Sequence, residues 1–175
     1  MHYATMGNPG LRVSRVSVGT DITLPPAELL PILRRAGELG ANFVDADYSY
    51  SYTKPDGGSG RSWEGVREWL TEVDRSQMVV AAKTYDPTPE GAFRHAEESL
   101  EGLGTDYLDA FLIHGLNTLE DWEKFRPALD GCLKAKEQGL ARHVGISTHT
   151  VTLAREAARI PELELLLVTL NVTGK

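Results

Sequence analysis

The stretch that decides the fold opens with Met78-Val79-Val80-Ala81-Ala82-Lys83. It continues through Thr88-Pro89 and a run to Leu103, and closes with Tyr107-Leu108-Asp109-Ala110-Phe111-Leu112-Ile113. The outer two segments are short and almost wholly apolar, as strands buried on both faces are. The middle segment carries Phe93, Ala96, Leu100 and Leu103 three and four residues apart, one face of a helix. Thr88 suits the N-cap of that helix and Pro89 its first turn. Strand, helix, strand in this order predicts two parallel strands joined by a helical crossover.

The alternation extends in both directions. Upstream, the turn cluster Gly7-Asn8-Pro9-Gly10 precedes an apolar run over 13–18, so residues 2–18 are expected to open with a short hairpin. A helix follows over about 26–39, ended by Gly40, and then a strand over 42–47. Residues 48–60, rich in Tyr, Ser and Gly, read as a loop. Residues 60–72 read as an amphipathic helix with Trp63, Val66 and Leu70 on one face. Downstream, a long helix is predicted from Thr118 to about Gln138, kinked at Pro127. Then come a strand over 143–147, a helix over 150–160 and a strand over 165–171. On pattern alone two architectures fit: an open doubly wound sheet, or part of an eight-stranded β/α barrel. A barrel typically needs about 250 residues, which favours the open sheet.

Composition bounds the function. The chain of 175 residues is read as one domain, 1–175, with 41% hydrophobic and 25% charged residues, which excludes a disordered chain. Eighteen basic against 25 acidic residues give a net charge of −7, which argues against nucleic acid or an anionic membrane as partner. The lone cysteine, Cys132, excludes an internal disulfide and suits a reducing compartment. The longest apolar run, 165–170, is too short to span a bilayer, and the first residues lack the pattern of a signal peptide. The expectation is a cytoplasmic protein acting on a small molecule.

In parallel α/β folds the active groups gather at the C-terminal ends of strands. Those ends read Gly19-Thr20-Asp21, Asp45-Ala46-Asp47-Tyr48-Ser49-Tyr50, Lys83-Thr84, His114, Ser147-Thr148 and Asn171. Asp45 and Lys83 fall within or beside apolar runs, so both are expected to be buried, and a buried charge needs a partner. The plain reading is a structural ion pair. The richer one adds a tyrosine and a histidine at the same face. A phenol ionises near pH ~10, and a neighbouring ammonium lowers that value, making tyrosine a usable general acid. A histidine beside it can orient a carbonyl oxygen. His143 and His149 read as structural or solvated, and His2 and His95 as surface residues. Trp63, Trp69 and Trp122 read as packing residues, and Gly57-Gly58-Ser59-Gly60 as a flexible loop rather than a phosphate cradle.

The sequence resembles the aldo-keto reductase family along most of its length. Leu103-Gly104-Thr105-Asp106-Tyr107-Leu108-Asp109-Ala110-Phe111-Leu112-Ile113-His114 is similar to that family's motif before its catalytic histidine. Gly10-Leu11-Arg12-Val13-Ser14 with Gly19-Thr20, Gly40-Ala41-Asn42-Phe43-Val44-Asp45, and Gly139 through Ser147 resemble further family segments in the same order. Tyr50 stands five residues beyond Asp45, the family's spacing, which selects it over Tyr48 and Tyr52. The resemblance implies an incomplete (β/α)8 TIM-type barrel of about six strands and five helices behind a short N-terminal hairpin, displacing the open sheet. It implies Tyr50 as general acid, Lys83 as the group that lowers its pKa, Asp45 as the holder of Lys83, and His114 as the orienter of the carbonyl. Gly19 and Thr20 would line the nicotinamide, Ser147 would meet its carboxamide, and Thr148 and Asn171 would complete the cofactor side. The cofactor implied is NADPH, with NADH as the alternative, and the substrate a small-molecule aldehyde or ketone. Where the family commonly has Asp-Thr-Ala, this chain has Asp45-Ala46-Asp47, and it stops after the sixth strand. That implies a fragment and leaves an open sheet edge through which copies could associate. Two other functions are weighed: a reductase-like binding or regulatory fragment without turnover, and a metal-dependent barrel hydrolase using Asp45, Asp47 and His114.

Overall fold

The computed structural model describes residues 1–6, 10–20, 24–47, 49–54 and 56–170, with only the backbone at Tyr52. The chain opens with an antiparallel hairpin, β1 (Tyr3–Met6) against β2 (Leu11–Ser14), as expected. Asn42 ties it to the body: its Oδ1 accepts from Ser14 N at 2.7 Å and its Nδ2 donates to the Arg12 carbonyl at 2.9 Å.

The body alternates. It runs β3 (Val18–Gly19), α1 (Pro26–Glu38), β4 (Phe43–Asp45), then a small hairpin of β5 (Ser51–Thr53) and β6 (Ser59–Arg61), then α2 (Trp63–Leu70). It continues with β7 (Val79–Thr84), α3 (Pro89–Leu103), β8 (Leu108–Leu116), α4 (Leu119–Phe125), α5 (Ala128–Glu137), β9 (Ala141–Thr148), α6 (Val151–Ala157) and β10 (Leu165–Val168). The predicted caps form. Thr88 accepts from Gly91 N at 3.1 Å, and Thr118 and Asp121 make a reciprocal capping box.

Three expectations are corrected. The long helix predicted from Thr118 is two helices, α4 and α5, so the described residues hold six rather than five. Pro127 has no N–H to continue the ladder, and its ring crowds the carbonyl four residues back. The segment read as a loop over 48–60 contains the β5–β6 hairpin, antiparallel with Tyr52 opposite Gly60. Its glycines serve the turn and its partner strand, so the Gly-rich stretch is ordered in part. His95, expected at the surface, is half-buried, with Nδ1 2.9 Å from the Thr84 hydroxyl.

Six strands form one sheet in the order β10-β9-β8-β7-β4-β3, every neighbouring pair parallel. A doubly wound sheet reverses its strand order at a switch point. Here the order follows the chain without reversal, as in a barrel wall. Alternation divides the side chains between two faces. Val44, Val80, Ala82, Phe111, Ile113, Val144 and Ile146 belong to one large core with helix residues such as Leu33, Val66, Ala96 and Leu153. Ala81, Ala110, Leu112 and Leu165 form a separate small core, against which Met6 of the hairpin packs. The second face is the barrel interior, and its next residues toward the C-terminal strand ends are polar. Cys132 lies in the outer core, and burial pushes its thiol up to about 12, so it behaves as a small hydrophobe.

Candidate active site

Inward alternation selects the residues of the site. Phe43 and Ala81 face the inner core, so Asp45 and Lys83, two residues on, face the same way at the strand ends. On β8 the inward series is Ala110, Leu112, His114, and on β9 it is Gly145, Ser147. Between Ile113 and Leu116, a stretch that includes His114, the β8–β9 register shifts, and Gly115 adopts a φ of +73. Such an irregularity bends the strand and re-aims its side chains. Tyr50 arrives from the loop after β4. Its N–H donates to the Asp47 carbonyl at 3.2 Å, and its carbonyl accepts from Ser62 N at 3.2 Å at the base of the β5–β6 hairpin.

The four expected catalytic residues meet in one pocket of about 230 Å³, with Ser147, Thr148, His149 and the β10 segment Leu167, Val168 and Thr169. Lys83, 1% exposed, donates from Nζ to Asp45 Oδ2 at 2.8 Å. Its Nζ stands 5.2 Å from the centre of the Tyr50 ring. The Tyr50 and His114 rings meet edge to face at 6.2 Å. Asp45 is half-buried rather than buried. Burial raises its carboxyl above the ordinary value, although Lys83 pulls the other way. Its Oδ1 is buried without a hydrogen-bond partner among the described residues.

Two residues outside the expected set complete the cluster. Asp47 is 1% exposed and its Oδ2 bonds His114 Nδ1, while Oδ1 accepts from Ser49 N at 2.8 Å and Ser49 Oγ at 2.7 Å. Its Oδ2 also lies 3.9 Å from Lys83 Nζ. Burial pushes the Asp47 carboxyl up, but the bonds from His114 and Ser49 outweigh it and hold the group below the usual range. Tyr85 stacks on His114 at 4.4 Å and 19°, its hydroxyl 3.3 Å from Nε2. In the sequence Asp47 pointed only to metal binding, and Tyr85 carried no signal beyond standing two residues after Lys83. Among the described residues no three His, Cys, Asp or Glu side chains are grouped to hold a metal ion. Asp45 and Asp47 share the Lys83 ammonium instead.

The expected cofactor residues divide. Ser147 and Thr148 line the pocket, 4% and 1% exposed. Thr148 Oγ1 is engaged with Thr150, accepting from its N–H at 3.1 Å. Thr20 is turned inward, its hydroxyl donating to the Asp45 carbonyl at 3.2 Å. Gly19 is exposed at the end of β3, and a Cβ there would meet nothing within 4 Å. Asn171, Tyr48 and Asp21 lie outside the described residues, as does the side chain of Tyr52. The donor set suits a dihydronicotinamide: the unpaired Asp45 Oδ1 and the Ser147 hydroxyl offer an acceptor and a donor at one pocket. At about 230 Å³ the pocket is below the ~300–1,000 Å³ usual for ligand sites, enough for a ring-sized group but not a dinucleotide. A larger groove of about 820 Å³, lined by residues of α4 and α5 and by Glu156, Arg159, Ile160 and Glu162, shares no residue with this cluster.

Fold and cluster together define part of a β/α barrel with a polar pocket at its strand ends, and comparison with known proteins gives its family. The model of the Aldo/keto reductase family matches residues 17–173, and the chain belongs to that family. It is 34% identical over 145 residues to the NAD/NADP-dependent indole-3-acetaldehyde reductase of Schizosaccharomyces pombe, covering 78% of this chain and 43% of that protein. It is 29% identical over 154 residues to L-galactose dehydrogenase of Arabidopsis thaliana, covering 81% and 47%. Its fold matches the aldo-keto reductase AKR11C1 of Bacillus halodurans with a TM-score of 0.80 at 21% identity, over 97% of this chain and 58% of that one. The chain spans about half the length of the curated relatives it matches, so its barrel is incomplete beside theirs. Among the described residues no helix is long and apolar enough to cross a membrane.

Proposed function

We propose that this chain carries the catalytic face of an NAD(P)H-dependent oxidoreductase that reduces an aldehyde or ketone to an alcohol. The observation that carries the reading is the convergence of Asp45, Lys83, Tyr50 and His114 on one pocket at the strand ends. A dihydronicotinamide, when bound, would supply the hydride for the carbonyl carbon. The chain's own residues then handle the oxygen. The Tyr50 hydroxyl delivers the proton, and the Lys83 ammonium favours the phenolate left behind. Asp45 holds Lys83 on the pocket side through the 2.8 Å contact. His114 sits across the Tyr50 ring and fixes the direction from which the carbonyl oxygen approaches. Gly19, Thr20, Ser147, Thr148 and Asn171 belong to the cofactor side of this proposal, Ser147 with the most direct access. The reading leaves NADPH and NADH as alternatives.

The test is a titration of the chain with NADPH and with NADH, followed by tryptophan fluorescence, then turnover of a panel of aldehydes and ketones. Tyr50→Phe is expected to lower turnover about 10²–10⁴-fold, the usual weight of a general acid, with cofactor affinity and melting temperature unchanged. Full turnover in Tyr50→Phe would remove Tyr50 from the chemistry. A second reading, cofactor binding without turnover, is favoured by the small pocket and by Tyr85 covering His114. Saturable NADPH binding with no reduction of any carbonyl would establish it.

A further inference from the structure

Two contacts on opposite nitrogens of His114 bear on where its proton sits. Asp47 faces Nδ1 with its side chain wholly buried. Held below the ordinary carboxylate range, Asp47 is ionised at neutral pH, and an ionised carboxylate only accepts. Nδ1 therefore carries a hydrogen. On the far side the Tyr85 hydroxyl meets Nε2. Burial, and then the charge of Asp47, push the Tyr85 phenol up, so it keeps its proton, with Nε2 and the Ser49 side chain both within its reach. The Asp47 contact selects one neutral tautomer, with hydrogen on Nδ1 and a lone pair on Nε2, and the Tyr85 hydroxyl is compatible with it.

We propose that Asp47 is a positioning residue that fixes His114 in this tautomer, so that His114 donates to a substrate oxygen only as the imidazolium. The proposal rests on the carbonyl-reductase reading for its consequence, though not for its geometry. A carbonyl oxygen only accepts, so hydrogen bonding to it from Nε2 requires a second proton on His114. The hydroxyl of an alcohol can donate to the neutral Nε2 instead. Carbonyl and alcohol thus call for different protonation states of one residue. The charged and titratable groups around it are Asp47 and Asp45 after β4, Lys83 on β7, Tyr85 after β7, Tyr50, and His149 after β9. A ligand that bonds Nε2 takes the place of Tyr85 there. Position 47 is one of the two places where the chain departs from the Asp-Thr-Ala pattern noted above.

The test is a two-bond ¹H–¹⁵N correlation spectrum of the chain with ¹⁵N-labelled histidine, followed across pH, with the His114 signals assigned by their loss in His114→Gln. At the neutral limit the wild-type pattern is expected to show Nδ1–H. In Asp47→Asn the amide can donate to Nδ1, so the pattern is expected to switch to Nε2–H, and Asp47→Glu should keep the wild-type pattern. An Nε2–H pattern in the wild-type chain overturns the proposal, as does an unchanged tautomer in a folded Asp47→Asn. Should Asp47→Asn not fold, the wild-type spectrum decides alone. In the turnover assay, reduction by the wild-type chain should fall as pH rises, and that fall should be lost in Asp47→Asn. The spectrum needs no turnover, so failure of the tautomer and failure of the reductase reading are separately visible.

Discussion

Two clusters of charge sit at opposite ends of the same parallel sheet, and they are built differently. At the N-terminal end, Asp109 of β8 is 1% exposed and fully engaged. Its Oδ2 accepts from Arg75 Nη1 at 2.9 Å and Val80 N at 3.0 Å, and its Oδ1 from Arg142 Nη1 at 3.0 Å. Arg75 also donates to the Tyr107 carbonyl at 2.7 Å and the Thr105 hydroxyl at 2.9 Å, and both guanidiniums lie against the Tyr107 ring. At the C-terminal end, Asp47 is held by His114 and Ser49, but Asp45 Oδ1 is buried without a hydrogen-bond partner among the described residues. A cluster whose bonds are complete stabilises the fold. A buried acceptor without a bond costs stability that a cluster kept for binding or chemistry can give up. The same contrast separates the two faces of β/α barrels in general.

Breaking each end should therefore give opposite signatures. The largest expected effect is on rate: Lys83→Met should lower carbonyl turnover a hundredfold or more, on the scale of about 10²–10⁴ for proton-transfer groups. Its melting temperature should move less than that of the Asp109 variant. Asp45, partly exposed and with its carboxyl already raised, can take up a proton once the ammonium is gone. Asp109→Asn should do the reverse. Removing the shared charge leaves the largely buried Arg75 without its counter-ion, and breaking a buried pair costs about 3–5 kcal/mol. Arg142 is half in water, so the low end applies, a fall of about 6–12 °C for a chain of this size, with turnover per folded molecule unchanged. Calorimetry and the reductase assay on the two variants test the contrast directly; equal melting temperatures would abolish it.

The smallest effect is in acid. Glu164 accepts from Lys136 at 2.6 Å and is bonded to His143 at 3.1 Å. Burial raises its carboxyl, but these bonds outweigh it and lower it below the ordinary value. A depressed folded-state pKa adds stability that is present above the unfolded carboxylate pKa of about 4.3 and is lost as pH falls through the folded value. Urea titrations stepped from pH 6 to pH 3 should show Glu164→Gln losing less stability over that interval than the wild-type chain. Asp45 works against this trend, since acidification relieves its buried charge.

Most of this architecture was legible because it is local. Thr88, Thr118 and Asp121 announce helix starts by hydrogen-bonding within four residues, Pro89 by its fixed φ, and the apolar runs announce the strands. Family resemblance then decided between open sheet and barrel, which periodicity alone decided the other way. What stayed hidden was long-range. Asp47 and His114 are 67 residues apart, and nothing around Asp47 tells that its carboxylate meets an imidazole rather than a metal. Tyr85 was invisible because an aromatic just past a strand end has no preferred partner until the neighbouring strand is in place. The stretch most like the family, Leu103 through His114, serves both ends: Thr105, Tyr107 and Asp109 build the base, and His114 alone reaches the pocket. Similarity in that stretch is thus mostly similarity of scaffold.

The order of the sheet has a consequence for how the chain acquires its structure. Each strand from β3 to β10 pairs with the one before it in the large sheet, so no pairing waits for a segment far downstream. Loop-closure entropy is met in similar increments, one crossover at a time, rather than in one long-range step. A chain with this wiring can begin to assemble from its N-terminal side while still being synthesised, adding one strand–helix unit after another. Lys83 can reach Asp45 as soon as β7 docks on β4, whereas His114 has its place only after β8 has joined. The ion pair would form first, and the proton-handling pair last.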